Sequence, residues 1–599
     1  MWSIRGFKTK SPIENTNVAS VNRSKMSSSD GLSLKDARIR TLYSVLRFAF
    51  LFVLFSAISI LLFWQWIPHL RTALIGPPGD NLQDFWNVWY VSVAGNPKDI
   101  FHSNLIQFPE GTSFYYHSFA YPKVVAVALL SRVFGDDIQS LVFLQNLCLL
   151  ISFPLSAVGA FYVVHRFTGS TCGALAGGFL FSFNPSHVLH MGGNAHVSSI
   201  EFIPFFVLAY LTALEKKSRL WLALAICFYA LSALSSWYYL FYIAYFVVFH
   251  TVYVSVRHGS LPRGWDMLVP IACGVGVVVV LSPLLVPMVA LAAGGGSVYE
   301  PGSDRYVADV LGYAAFSPFH LLSSLGAPVN RRTGDQIVYL GLVNIAVLAW
   351  ACVRAKHESD EWVPYVLSGM AVFCILASGD FLHVAGHRTI PLPGIILSHL
   401  PFFKNVRTPV RAIVFVYLFM AIGIGHAFQL AWRQRPRLWV RGSVVTLVGL
   451  LMVVDFYPFG LATTSIACDP GLSVVREDPE SGFGVLDLPG GYFEGNFYMF
   501  NQAACHGRPI VQGNTSRDVA VTLRDRLEVR DFQKQRGELT EAKVKYIVIT
   551  HPAQPVGARF SWLKGLFRDW HPDDGREDEY RRTYPVAYDS PDLTVLRVY

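Results

Sequence analysis

Runs of about twenty apolar residues recur along this chain, and a run of that length almost free of charge is stable in the hydrocarbon core of a bilayer. The first, FAFLFVLFSAISILLFWQWI at 48–67, closes with Trp64 and Trp66, residues suited to interface depth. Further runs lie near 138–164, 172–190, 197–214, 219–234, 237–256, 267–292, 336–353, 362–378, 411–430 and 441–461. They predict a polytopic α-helical membrane protein of about 11 transmembrane helices. Composition agrees, since 52% of the 599 residues are hydrophobic and 15% charged, too apolar for a water-soluble chain of this length.

The formal charge of +8 does not imply nucleic acid, because the basic residues fall in short clusters between apolar runs rather than along one stripe. They read as topology signals. Residues 1–47, with nine Lys/Arg against three acidic residues, are expected to form a disordered cytoplasmic tail. A cleavable signal is not expected, because that tail is long and no small-residue cleavage site follows the first run. Basic loops at His165 and Arg166, at 215–219, 257–263, 354–356 and 433–441 alternate with loops poor in positive charge. Every second loop is therefore assigned to the cytoplasm. Loops 68–137, 293–335 and 379–410 fall on the exoplasmic side of a domain spanning 48–461, and an odd span count places 462–599 with them. Long polar segments gathered on one face suit chemistry at one membrane surface better than a carrier with paired broken helices.

The segment after 462 alternates differently. Apolar stretches at 484–488, 545–550 and 593–599 predict strands, and 518–539 predicts a charged amphipathic helix, so a small soluble α/β domain is expected, serving as a lid or docking unit. Its two cysteines, Cys468 and Cys505, are candidates for a disulfide in an oxidising exoplasmic compartment. None of the eight cysteines has metal-site spacing.

Four exoplasmic stretches carry candidate chemistry. In GPPGDNLQDFWNVWY, glycine and proline turn the chain above the bilayer, and 84–94 predicts an interfacial helix carrying Phe85, Trp86, Val88 and Trp89. Asp80, at its mouth, is the candidate general base, with a helix cap as the plain alternative for Asp80 or Asp84. In NPSHVLHMGGNAHVSSIEF, Gly192 and Gly193 permit a reversal that gathers His187, His190, His196 and Glu201, types that ligate a divalent metal, orient a phosphate or bind sugar hydroxyls. Interface histidines satisfied by backbone carbonyls are the commoner arrangement. In LPFFKNVRTPVRAIV, Lys404, Arg407 and Arg411 stand where topology does not require positive charge, and guanidinium forks suit the phosphate of a lipid carrier or of bulk phospholipid. Glu300 and Asp304, in SVYEPGSDRY, are further acidic candidates or plain loop residues.

With GD at 79–80 followed by FWNVWY, the histidine-containing turn at 187–201, RTPVR at 407–411 and the stretch YMFNQAACHGRPIVQGNTSR at 498–517, the chain resembles the GT-C superfamily of integral-membrane glycosyltransferases, and within it poorly characterised bacterial members. The resemblance implies transfer from a polyprenyl-phosphate sugar donor to a glycan, lipid or protein acceptor, with Asp80 as base and Arg407 and Arg411 near the donor phosphate. It further implies a bacterial inner membrane. The family's frequent acidic pair is matched only loosely by Asp80 and Asp84, four positions apart, which leaves a divalent metal cofactor open. Two other functions stay open on residues alone: a lipid flippase or transporter, and a non-catalytic assembly protein for cell-surface polymers. The spans hold few central charges, which weighs against the first.

Overall fold

A computed structural model of the protein describes residues 34–96, 98–293, 306–330, 337–355, 361–399, 406–434, 438–489, 492–517, 521–551 and 576–599. The chain is a mostly helical multi-pass membrane protein. Among the described residues, six helices are long and apolar enough to cross a membrane: Leu42–Leu62, Ile138–Thr168, Trp237–His258, Trp265–Ala293, Pro409–Arg433 and Trp439–Phe456. Shorter apolar helices stand at Thr171–Ser182, Arg219–Ser235, Leu342–Ala355 and Trp362–Ala377. The first helix starts at Leu34, so the last part of the expected disordered tail is helical.

The Ile413–Gln434 helix lies innermost, because small residues let a neighbour approach its backbone. A Cβ on Gly173 would stand 2.3 Å from the carbonyl oxygen of Gly425, and one on Gly177 would stand 2.8 Å from that of Ala421. Two helices therefore touch backbone to backbone. The apolar run at 172–190, expected as one span, is broken. Asn184 accepts from the His187 amide at 2.9 Å and Pro185 opens a new short helix, Pro185–Met191, since proline cannot continue the preceding one.

The C-terminal region carries a four-stranded mixed sheet in the order Gly484–Leu488, Val544–Thr550, Leu593–Arg597, Val586–Asp589, the first pair parallel and the others antiparallel. Three strands match the sequence expectation and Val586–Asp589 is additional. The single helix expected over 518–539 is instead two described pieces, Leu523–Arg526 and Phe532–Glu541, with 518–520 outside the described residues.

This sheet shares a hydrophobic core with the segment that follows the first long helix. Leu82, Phe85, Trp86, Val88 and Trp89 pack in one buried cluster with Tyr498, Met499, Phe500 and Val485. The aromatic helix expected to lie in the membrane interface is thus covered by protein, because the Tyr492–Asn501 helix occupies that face. Backbone pairing joins the same two regions. Ala73–Ile75 runs antiparallel to Thr463–Ser465, and the Gln107 and Phe108 amides donate to Gln512 and Ile510 at 3.1 and 3.0 Å.

Cys468 and Cys505 form the expected disulfide, with Cα atoms 5.6 Å apart across a separation of 37 residues. Mass spectrometry of unreduced protein should recover the linked peptide pair, and replacing both by serine should cost about 2–4 kcal/mol of stability. Two free thiols in the isolated protein would refute this.

Candidate functional site

Two glycine-rich turns meet at the heart of the site. Gly76, at φ +99°, lies so close to Gly192 that an added Cβ would stand 1.8 Å from the Gly192 carbonyl oxygen. Only glycine tolerates both that φ and that approach. The GPPGD turn is thereby pressed onto the HMGGNAH turn, and each carries its polar residues to the other.

Asp84 is the first beneficiary. Its Oδ2 accepts from the Ala195 amide at 2.8 Å, while Lys123 Nζ donates to the Ala195 carbonyl at 3.1 Å and to Ser198 Oγ at 2.7 Å. The backbone of one residue, Ala195, is held at its N–H by Asp84 and at its carbonyl by Lys123. Burial pushes the Asp84 carboxyl up to about 7, with the Asp80 charge raising it further and the Ala195 amide and Lys123 opposing. Burial likewise pulls Lys123 down, against the charges of Glu201 and Asp84. Glu201, 5% exposed, accepts from Ser152 Oγ at 2.6 Å and lies within the field of Lys123. A buried group of two carboxylates and one ammonium results.

Asp80 sits nearer the surface as the first residue of the Asp80–Trp89 helix, whose cap is the backbone of Gly79; no side chain caps it. Its part-buried carboxylate faces the C-terminal region instead. Asn496 Nδ2 donates to Asp80 Oδ1 at 3.1 Å, and Asn514 Nδ2 donates to Asn496 Oδ1 at 3.1 Å. Gln83, on the same helix, donates to the Asn514 carbonyl at 2.9 Å. Each amide passes its donor toward the carboxylate, and two residues over 400 positions away orient it.

Arg411 opens the third part. It is 8% exposed, lies 4.6 Å from the centroid of the Tyr238 ring, and reaches His196 Nε2 at 3.4 Å and Asn194 Oδ1 at 3.3 Å. Burial first and the Arg411 charge second hold His196 well below the usual imidazole range, so the ring is neutral at pH 7. His117 is neutral too, pushed by burial down to about 3. Its Nδ1 accepts from the Ser516 amide at 3.2 Å, which leaves Nε2–H to donate to Asn87 Oδ1 at 2.8 Å.

The residues expected from sequence are therefore distributed unevenly. Asp84 reaches Ala195 and Arg411 reaches Asn194 and His196, all beside the Gly192 turn, whereas Asp80 faces Asn496, and Arg407 lies within electrostatic reach of Tyr238. His187 lies deeper, stacked on Phe153 at 4.0 Å with Nδ1 donating to the Ser182 carbonyl at 2.6 Å, the carbonyl-satisfied arrangement. His190 Nδ1 donates to the Ser186 carbonyl at 2.7 Å. Glu300, Asp304 and Lys404 lie outside the described residues. Among the described residues no group of three His, Cys, Asp or Glu side chains fits a metal ion, and no step is assigned to one. Sequence reading missed His117, Lys123, Tyr238, Asn496 and Asn514. Lys123 had a signal, a lone charge in the apolar stretch YPKVVAVALL. The others look like ordinary loop or interface residues until the chain is folded.

No curated protein matches the sequence. Solved structures with similar coordinates include the archaeal oligosaccharyltransferase AglB from Archaeoglobus fulgidus in complex with an inhibitory peptide and a dolichol-phosphate, at 12% identity and TM-score 0.48, covering 85% of this chain and 70% of that one. ArnT from Cupriavidus metallidurans in the apo state aligns at 11% identity and TM-score 0.47, over 91% of this chain and 97% of that one. The family described as domain of unknown function (DUF6311) matches residues 50–457, more than half of the sequence and a span that includes Asp80, Lys123, His196 and Arg411, so the protein belongs to that family.

Proposed function

We propose that this protein is a membrane glycosyltransferase of GT-C type that moves a sugar from a polyprenyl-phosphate donor to an acceptor hydroxyl at the exoplasmic surface. The observation that carries this reading is a part-buried carboxylate, Asp80, oriented by Asn496 on the helix whose Asp84 holds Ala195, next to the Asn194 that the Arg411 guanidinium reaches. Asp80 takes the acceptor's proton as the acceptor atom attacks the anomeric carbon. The bond from that carbon to the phosphate oxygen breaks, and the lipid phosphate leaves as an anion held by Arg407 and Arg411. The leaving group needs no proton, so one carboxylate suffices. Asp84 is the weaker candidate for base despite its raised proton affinity, because its Oδ2 is committed to the Ala195 amide and it is 9% exposed.

The arrangement in the membrane belongs to the same proposal: about eleven spans, a cytoplasmic N-terminus and an exoplasmic C-terminal region in a bacterial inner membrane. The disulfide supports the C-terminal assignment. Compartment reporters at Ser28 and after Tyr599 should report opposite sides, and the same side for both would remove the site from one surface. The activity is tested by incubating purified full-length protein with labelled polyprenyl-phosphate sugars and acceptor extracts. Release of free lipid phosphate with transfer of label is the expected result; absence of transfer with every donor would return the assembly-protein and flippase readings to the front.

A further inference from the structure

The turn between the Pro185–Met191 and Phe202–Lys216 helices presents one ring whose hydrogen-bonding capacity is half spent, that of His196. The backbone is fixed on both sides of it. The Ala195 N–H is held by Asp84 at 2.8 Å and its carbonyl by Lys123 at 3.1 Å, and the Val197 carbonyl accepts from the Tyr239 hydroxyl. The ring itself meets Arg411, which reaches His196 Nε2 at 3.4 Å while lying over Tyr238. A guanidinium has only donors, so Nε2 must accept and the proton of the neutral ring sits on Nδ1. Burial and the neighbouring Arg411 charge keep a second proton off the ring. Among the described residues Nδ1 has no hydrogen-bond partner, and His196 is only part-buried, so this N–H is open to a ligand.

We propose that His196 is a specificity-determining residue whose Nδ1–H donates to a neutral hydroxyl oxygen of the sugar being transferred. This rests on the glycosyl transfer proposed above and adds to it the group that reads the sugar. The other roles open to a histidine fit the geometry less well. A metal ligand or a general base needs a nitrogen lone pair, and the one on Nε2 is directed at Arg411. A phosphate is best matched by a charged donor, and the Arg411 charge disfavours the imidazolium. A neutral N–H held in one direction suits a neutral acceptor. Its effect is discrimination, since a sugar without that hydroxyl leaves the N–H unpaired. His187 and His190 do not share the role, because each spends its Nδ1 on a carbonyl of its own segment, Ser182 and Ser186.

Full-length protein in nanodiscs is assayed with undecaprenyl-phosphate hexoses and pentoses and their monodeoxy analogues, with release of undecaprenyl phosphate as the readout. Asparagine can place its amide N–H about where Nδ1 lies, and glutamine its carbonyl oxygen about where Nε2 lies. His196→Asn should therefore keep kcat/KM for the best donor within a few fold, whereas His196→Gln should lower it roughly tenfold, as loss of one hydrogen bond with its partner left unpaired does. Removing one particular hydroxyl from that donor should cost wild type a similar factor and cost His196→Gln nothing further. Should His196→Gln fail to fold, His196→Phe, which keeps a ring and lacks both nitrogens, replaces it with the same expectation. Loss in His196→Asn with activity kept in His196→Gln would assign His196 to holding Arg411 and overturn the proposal. Wild-type protein that accepts every monodeoxy donor equally well overturns it without any variant, and leaves the transfer reading standing. Wild-type protein that releases undecaprenyl phosphate from none of the donors overturns both.

Discussion

Asp80→Asn should lower sugar transfer by at least about 100-fold, the scale of losing a positioned base, while the protein keeps its fold and its donor binding. The local geometry makes this a clean substitution. Asn496 Nδ2 donates to Oδ1 at 3.1 Å, and an asparagine at position 80 offers a carbonyl oxygen in the same place. What it lacks is the second oxygen that accepts a proton. Helix capping is not at stake, because the cap is the backbone of Gly79 and Asp80 already lies inside the first turn. The cost to the helix is limited to the weaker interaction of a neutral group with the N-terminal dipole, about 0.3–1 kcal/mol. Asp84→Asn is the matched control. Its amide oxygen still accepts from the Ala195 amide, so transfer should fall much less. Turnover of donor by purified Asp80→Asn within a few fold of wild type would move the base elsewhere, with Asp84 and Glu201 next to be tested.

Lys123→Met should destabilise the protein by about 3–5 kcal/mol, the cost of leaving a buried charge without its partner. Lys123 is 8% exposed and has two jobs in one place. Its charge lies in the field of Glu201 and Asp84, and it holds the Ala195 carbonyl and Ser198 hydroxyl at 3.1 and 2.7 Å. Methionine fills the same space but does neither. The double variant Lys123→Met with Glu201→Gln should recover a large part of the loss, since the uncompensated carboxylate is then gone as well. Thermal unfolding in detergent, followed by the intrinsic tryptophans, measures both. A single variant as stable as wild type would mean that Glu201 is neutralised from another direction. Non-additivity in the cycle would measure the coupling itself.

The two variants mark the boundary of what sequence reading reached. Asp80 was legible because a carboxylate after GPPG, before an aromatic helix, is unusual on its own. Lys123 was not singled out, although a lysine in an apolar stretch carries its own cost and so its own signal. The partners of both were invisible. Asn496 lies 416 positions from Asp80, and nothing in the local pattern of either links them. The aromatic helix was misplaced for a related reason. A sequence with Phe85, Trp86, Val88 and Trp89 on one short helix fits a membrane interface and a protein core equally well, and the Tyr492–Asn501 helix decides for the core by covering it. His187 was grouped with His196 from their spacing, but the break at Phe183 and Asn184 sends His187 inward to stack on Phe153.

By itself the sequence determined the solvent of this protein, the position of most of its apolar helices, three of the four strands of the C-terminal sheet, at 484–488, 545–550 and 593–599, and the pair of cysteines able to bridge. Each is a local property. A bilayer selects on about twenty consecutive residues, and a strand on five or six. Tertiary structure alone decided that the C-terminal region is built into the first loop, that Gly76 and Gly192 meet, and which carboxylate is clamped and which is left near the surface. Those outcomes depend on van der Waals contact and hydrogen-bond distances of about 3 Å between residues far apart in the chain, and such distances are set only when every intervening helix has packed.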